Sequence, residues 1–386
     1  MLGWVTVRGF GRVLKCFGFS LAVCALCLGA TACNREGGSS SAPSDVHQSD
    51  TPSSPVAETA NGTTADQNSP PTPIRFSGPC GVEATGGGPR PADPRGEVPF
   101  PPAGMANLGV KHPNASPVRL STGCGGRLYV TDTRAHSLFI YEPDLTLIGE
   151  LKGLQQPLGV AVDLDDRIYV GNDGRNNVEV YDQDGVKLRA IGEGIIEMPN
   201  ELALDSAGNL YVADSRANLV RIFTPEGEAG PQIGSGQTDA EKLEFPVSVV
   251  VREAAAGGEK EVLVADQGRS RIAVFDEEGS FLRAYGQPVE AFSSEWKGRF
   301  VRMQALAIDS AGRLHVLDSF MSKVQVLDAG DGAFLSSYGK LGTEDGDLYV
   351  ALDLVVTAGG TVLVANSGRH RVEVIHQLPE LADGVK

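Results

Sequence analysis

The chain has 386 residues, a formal net charge of −16, and a composition that is 41% hydrophobic and 6% aromatic. So acidic a protein is ill suited to bind nucleic acid or an anionic membrane surface through its net field. The length fits one large domain with a tether.

Residues 1–32 read as an export signal rather than part of the fold. Arg8, Arg12 and Lys15 make a basic start, residues 17–30 are apolar, and Ala30, Thr31 and Ala32 are small residues placed just before Cys33. The apolar run is short for a membrane span. A cysteine at this place resembles the bacterial lipoprotein signal, in which Cys33 is lipidated and becomes the mature N-terminus. Ala30 departs from that pattern, which usually has Leu there, and ordinary cleavage or an uncleaved anchor is the alternative. The resemblance implies a lipid-anchored, extracytoplasmic protein of the bacterial cell envelope, touching the membrane through its anchor only.

Residues 33–73 follow as a tether rich in Ser, Thr, Pro, Gly and Ala with no apolar period. Such a segment buries too little surface to offset the entropy of ordering it. About 40 flexible residues have a reach on the order of 35 Å, enough to hold a globular head off a membrane. Residues 74–117 are punctuated by Gly and Pro and read as an irregular segment packed on the main domain. Cys80 and Cys124 are the cysteines left after the signal and Cys33. In an oxidising compartment they are expected to form a disulfide, two separate thiols being the alternative.

From residue 118 to 376 one pattern recurs six times. It is clearest in Leu210–Phe223, LYVADSRANLVRIF. The copies align on Val130, Val170, Val212, Val264, Val316 and Val364, and each closes on an apolar residue a fixed step later: Tyr141, Tyr181, Phe223, Phe275, Leu327 and Ile375. Two residues after each valine stands Asp132, Asn172, Asp214, Asp266, Asp318 or Asn366. Each copy reads as two strands around a polar turn, flanked by an apolar strand before and another after it. Four antiparallel strands repeating at spacings of 40 to 52 residues between the valines describe a propeller blade, so the fold expected is all-β, a six-bladed β-propeller. The last copy lacks a fourth strand, and residues 98–110 are placed to supply one and avoid an open edge. Residues 377–386 are a tail.

The runs Asp214-Ser215-Arg216-Ala217-Asn218 and Ser367-Gly368-Arg369-His370-Arg371 resemble the NHL-repeat family. That resemblance implies the six-bladed propeller fold and leaves activity open, since propellers host many functions.

In such a blade the turns between strands two and three share a face with the connections between blades. Four of those connections are long: 192–199, 234–246, 286–303 and 339–350. Binding residues concentrate on long loops held by a rigid scaffold, so this face is expected to carry function. The connection 286–303 holds Phe292, Trp296, Arg299 and Phe300, residue types that dominate interface hot spots; packing onto their own blade is the alternative. The polar turns carry Arg134, Arg175, Arg216, Arg269 and Arg369, a partial ring suited to carboxylate or phosphate or, more simply, to bracing each turn.

The channel ring aligns as Pro117, Gly159, Glu201, Ser248, Ala305 and Asp353. Glu201 and Asp353 oppose each other there and suggest calcium, as in six-bladed lactonases, although Gly, Ala and Pro supply no further ligands. His136 and His370 share a repeat position in neighbouring blades and suggest zinc, with no third ligand in view. No nucleophile elbow, HExxH, CxxC or phosphate-cradling loop occurs after the signal. The reading is a binding or scaffold protein that docks a protein, peptide or saccharide and needs no cofactor. The second reading is a metal-dependent lyase or lactonase acting at the channel.

Overall fold

The computed structural model describes residues 105–106, 116–253, 259–290 and 294–375. The expected signal, Cys33, the expected tether, Cys80 and its expected pairing with Cys124, Phe292 and residues 377–386 all lie outside these residues.

Six four-stranded antiparallel sheets form the blades of a propeller. The inner strands are Pro117–Thr122, Pro157–Val162, Pro199–Leu204, Pro246–Glu253, Met303–Ile308 and Ala351–Val356. Each is followed outward by the hairpin the repeat announces, as in Leu210–Asp214 with Leu219–Phe223 in blade three. Blades one to five each take their outer strand from the chain that follows the hairpin. In blade six the outer strand is Met105–Ala106, which runs antiparallel to Arg371–Ile375. The ring is thus closed by chain from before the first repeat, and among the described residues every blade has four strands.

The core consists of six apolar clusters, one between each pair of neighbouring blades. At the closing seam, Leu120, Val130 and Phe139 of blade one pack on Leu363, Val372 and Val374 of blade six. The repeated valines are buried because second-strand residues lie at the middle of these seams. Gly159 shows how closely the inner strands approach. A Cβ there would meet Leu202 Cγ at 2.8 Å and the Glu201 carbonyl carbon at 2.9 Å.

Each inner strand is bulged near its start, for example between Pro199 and Glu201 and between Ala351 and Asp353. A bulge turns backbone groups away from the ladder. Here it leaves carbonyl oxygens available to a donor in the channel.

Candidate functional site

The six repeated Asp and Asn residues are fully buried and latch the chain on the long-loop face. Each accepts a backbone N–H from the segment that leads into its own inner strand. Asp132 accepts Ser116 N at 2.7 Å, Asn172 accepts Gln155 N at 3.0 Å and Asp214 accepts Met198 N at 2.8 Å. Asp266 accepts Glu244 N at 2.7 Å, Asp318 accepts Val301 N at 2.6 Å and Asn366 accepts Tyr349 N at 2.9 Å. A short side chain with an acceptor oxygen at this position is therefore what the architecture requires.

The turn arginines brace the same connections. Arg175 donates to Gly153 O at 3.2 Å, Arg216 to Glu197 O, Arg269 to Asp239 O at 3.0 Å, and Arg369 to Glu344 O and Thr343 O. Four of the five thus hold loops. Arg134 is exposed. His136 and His370 occupy the left-handed position of their turns, φ 53° and 58°, as Asn176, Asn218, Ser270 and Ser322 do in the other blades. That conformation explains a position filled by His, Asn or Ser.

Two turn types alternate around the ring. Blades two, four and six have a 3-10 turn with Gly before the arginine: Asp173–Arg175, Gln267–Arg269 and Ser367–Arg369. In these blades the glycine N–H reaches a carbonyl of the incoming segment, and the residue before the inner strand is left-handed: Gln156, Phe245 and Val350, φ 53°, 54° and 51°. A β-branched residue such as Val350 is rarely found there. The alternation is written in the sequence as Gly-Arg in these blades against Arg-Ala in blades one and three and Phe-Met in blade five, and gives the face a pseudo-threefold order.

The connection 286–303 is held by its own blade. Trp296 is half-buried and stacks edge-on against Phe334, centroids 5.6 Å apart, with Lys323 Nζ 4.8 Å over its ring. Phe300 is fully buried in the core between blades four and five, and is not available to a ligand. Arg299 pairs with Glu290 at 3.2 Å. The fully buried Gln325 accepts Gly298 N at 2.8 Å and donates to Arg299 O at 2.7 Å. What this face exposes instead is Phe320, 73% accessible, with Val301, Tyr349, Val350 and Leu341 on neighbouring segments. Phe320 and Met321 stand where every other blade has at least one arginine.

The channel differs from the aligned ring in one member. Pro117 pairs with Asp132 as Pro199 pairs with Asp214, and Leu120 pairs with Val130 as Leu202 pairs with Val212. The blade-one residue level with Glu201 and Asp353 is therefore Arg119, not Pro117. Counting back from Val130 the distance that separates Val212 from Glu201 would have found it.

Arg119 is buried at the head of the channel and its guanidinium reaches four other blades. It donates to Asn200 O and Oδ1 at 2.9 and 2.7 Å, Val247 O at 2.8 Å, Gln304 O at 2.9 Å and Leu352 O at 3.0 Å. Its Nη1 lies 3.2 Å from Glu201 Oε2 and 3.6 Å from Asp353 Oδ1. Asp353 Oδ2 also accepts Leu120 N at 2.6 Å. The contact to Glu201 is out of hydrogen-bonding line, so Oε2 accepts no hydrogen bond although it is buried. Burial pushes the Glu201 carboxyl well above its usual range, and Asp353 adds to this against the opposing pull of Arg119. Burial likewise raises Asp353 to about 6. One cation facing two buried acids leaves a surplus negative charge, and a proton on Glu201 is the least costly way to remove it.

The guanidinium therefore fills the place a calcium ion would need between Glu201 and Asp353. Among the described residues no group of three or more His, Cys, Asp or Glu is arranged to hold a metal ion.

A second buried network lies near the opposite face. His315 is fully buried between Asp309 Oδ2 at 3.0 Å and Tyr338 Oη at 2.9 Å. Tyr169 donates to Asp163 and Tyr211 to Asp205 from the matching position, so His315 replaces a tyrosine that ties strand two to its turn.

No family model matches the chain, and no curated protein sequence matches it. Solved structures do. One is hydrazine synthase from Kuenenia stuttgartiensis, 15% identical, with a TM-score of 0.51 over 69% of this chain and 97% of that one. Another is a catalytically inactive virginiamycin B lyase from Staphylococcus aureus with quinupristin, 10% identical, with a TM-score of 0.50 over 70% and 84%. At these identities the likeness shows a shared propeller fold and carries no activity across.

Proposed function

We propose that the chain is an NHL-type binding protein of the bacterial cell envelope, lipid-anchored through Cys33, that docks a protein, peptide or saccharide on its long-loop face. The observation that carries this reading is Phe320. It is the most exposed large apolar side chain among the described residues, and it sits where the other turns have an arginine or a glycine. An aromatic held in water on a rigid turn costs solubility and adds nothing to the blade beneath it. Strand direction supports the same face. Met105–Ala106 enters from the tight-turn side and Arg371–Ile375 ends there, so the first and last described strands begin and end away from the long loops. The reading of the channel as a metal-dependent lyase or lactonase site is weakened by Arg119, whose guanidinium occupies the ring that such a metal would use.

The test has two arms. Cys33→Ser should move the protein from the membrane to the soluble fraction of the envelope. Purification from native membranes should recover a companion molecule with wild type and lose it with Phe320→Ser plus Tyr349→Ser, at unchanged melting temperature. Loss of the companion with Leu164→Ser plus Leu282→Ser instead, away from this face, would reject the assignment.

A further inference from the structure

Resting on that reading of the long-loop face, we infer that Val301, Arg302, Phe320 and Met321 form a preorganised docking patch for an acidic peptide segment with an apolar anchor, presented by a partner protein. The four residues come from two separate segments joined by one buried carboxylate. Asp318 Oδ2 accepts Val301 N at 2.6 Å and Arg302 N at 3.0 Å. Asp318 Oδ1 accepts Phe320 N at 3.1 Å and Met321 N at 3.0 Å. Ser319 N donates to Arg302 O at 3.0 Å and closes the pair. The backbone under the patch is fixed before any partner arrives, which lowers the ordering cost of binding.

The side chains on this frame have the composition of an interface core. Phe320 is 73% and Val301 39% accessible, Met321 is half-buried and Arg302 is exposed. Phe, Met and Arg are enriched in interface cores, and Asp and Glu are depleted. Asp318, the acid of the patch, is fully buried and already accepts four N–H groups. Arg302 sets the partner's sign. In a chain of net charge −16 its guanidinium has no carboxylate partner among the described residues, whereas Arg175, Arg216, Arg269 and Arg369 all brace loops. A guanidinium beside an exposed aromatic fits a carboxylate next to a Leu-, Ile- or Phe-like side chain.

The experiment pans a random linear dodecapeptide phage library against the purified protein, then measures the selected peptides on variants. Selected peptides should carry Asp or Glu within a few residues of a large apolar side chain. Phe320→Ser and Arg302→Glu should each weaken them by about tenfold or more, while Arg302→Lys retains most of the binding. Peptides that ignore these variants but are lost with Phe245→Ser plus Ile195→Ser would overturn this patch and leave the long-loop reading standing. Peptides lost only with substitutions on the opposite face would overturn both, and no enrichment at all would overturn this inference alone. Concentration-dependent dimerisation of the wild type that Phe320→Ser abolishes would show the occupant to be a second copy, and would also overturn the inference.

Discussion

Arg119 and Asp353 face each other across the seam where blade six meets blade one, Nη1 to Oδ1 3.6 Å, both buried. The same guanidinium bonds carbonyls of blades three, four, five and six. One side chain thus ties the ring at its axis while Met105–Ala106 ties it at its rim.

Removing that side chain should be costly. Arg119→Met leaves two buried acids without their cation and four carbonyls without a donor, and the expected loss is about 3–5 kcal/mol. Arg119→Lys keeps the charge but not the forked set of donors, and should also melt well below wild type. Thermal unfolding of the three proteins in one buffer checks this. A loss under about 1 kcal/mol for Arg119→Met would mean that the ring closes without it.

The acids give the stability a pH signature. Glu201 and Asp353 titrate above their ordinary range in the fold, Asp353 at about 6. Their favourable contribution is present below the unfolded carboxylate range and is lost as pH rises through the folded values. Glu179 and Asp309 behave oppositely. Although burial raises both, hydrogen bonds hold each down to about 2, led by Lys187 for Glu179 and His315 for Asp309. Their contribution is lost as pH falls through that value. Melting temperature should therefore peak in mild acid and decline through neutral pH. Glu201→Gln should flatten the decline while leaving the acid limb in place.

Asp318 should govern the order of the connection before blade five. Asp318→Ala removes the acceptor of Val301, Arg302, Phe320 and Met321 N–H, and about 3 kcal/mol of stability is expected to go with it. Hydrogen exchange should rise at residues 299–302 and 319–321 before it rises elsewhere. Uniform acceleration through blade five would mean that the carboxylate holds the whole blade rather than the connection.

Gly159 should resist even the smallest side chain. An added methyl meets the backbone of Glu201 and the Leu202 side chain, so Gly159→Ala should cost about 1–3 kcal/mol by overpacking. Ala305 occupies the matching position in blade five and is accommodated there, so a measured cost at Gly159 isolates the close approach of blades two and three.

The fold was legible in the sequence because a propeller repeats its physics. Each blade needs the same buried acceptor, the same left-handed turn residue and the same apolar second strand, so Asp214, Asn218 and Val212 recur in register. What breaks the repeat was harder to read. Arg119 does not stand out until the bulged inner strands are paired and Pro117 is set level with Pro199. Trp296 looks like a free aromatic in the sequence, but Phe334 and Lys323, from the hairpin that follows it in blade five, cover part of it. Phe320 was visible as a departure from the arginine pattern, yet its exposure depends on what the neighbouring segments leave open.

Docking on the long-loop face is tested most directly by photo-crosslinking in intact cells. A benzophenone amino acid is placed at Phe320, and separately at Leu164 on the tight-turn side. Docking on the long-loop face predicts a discrete crosslinked product from position 320 and none from position 164. A product from position 164 with none from 320 would contradict it, and would move the binding surface to the opposite face.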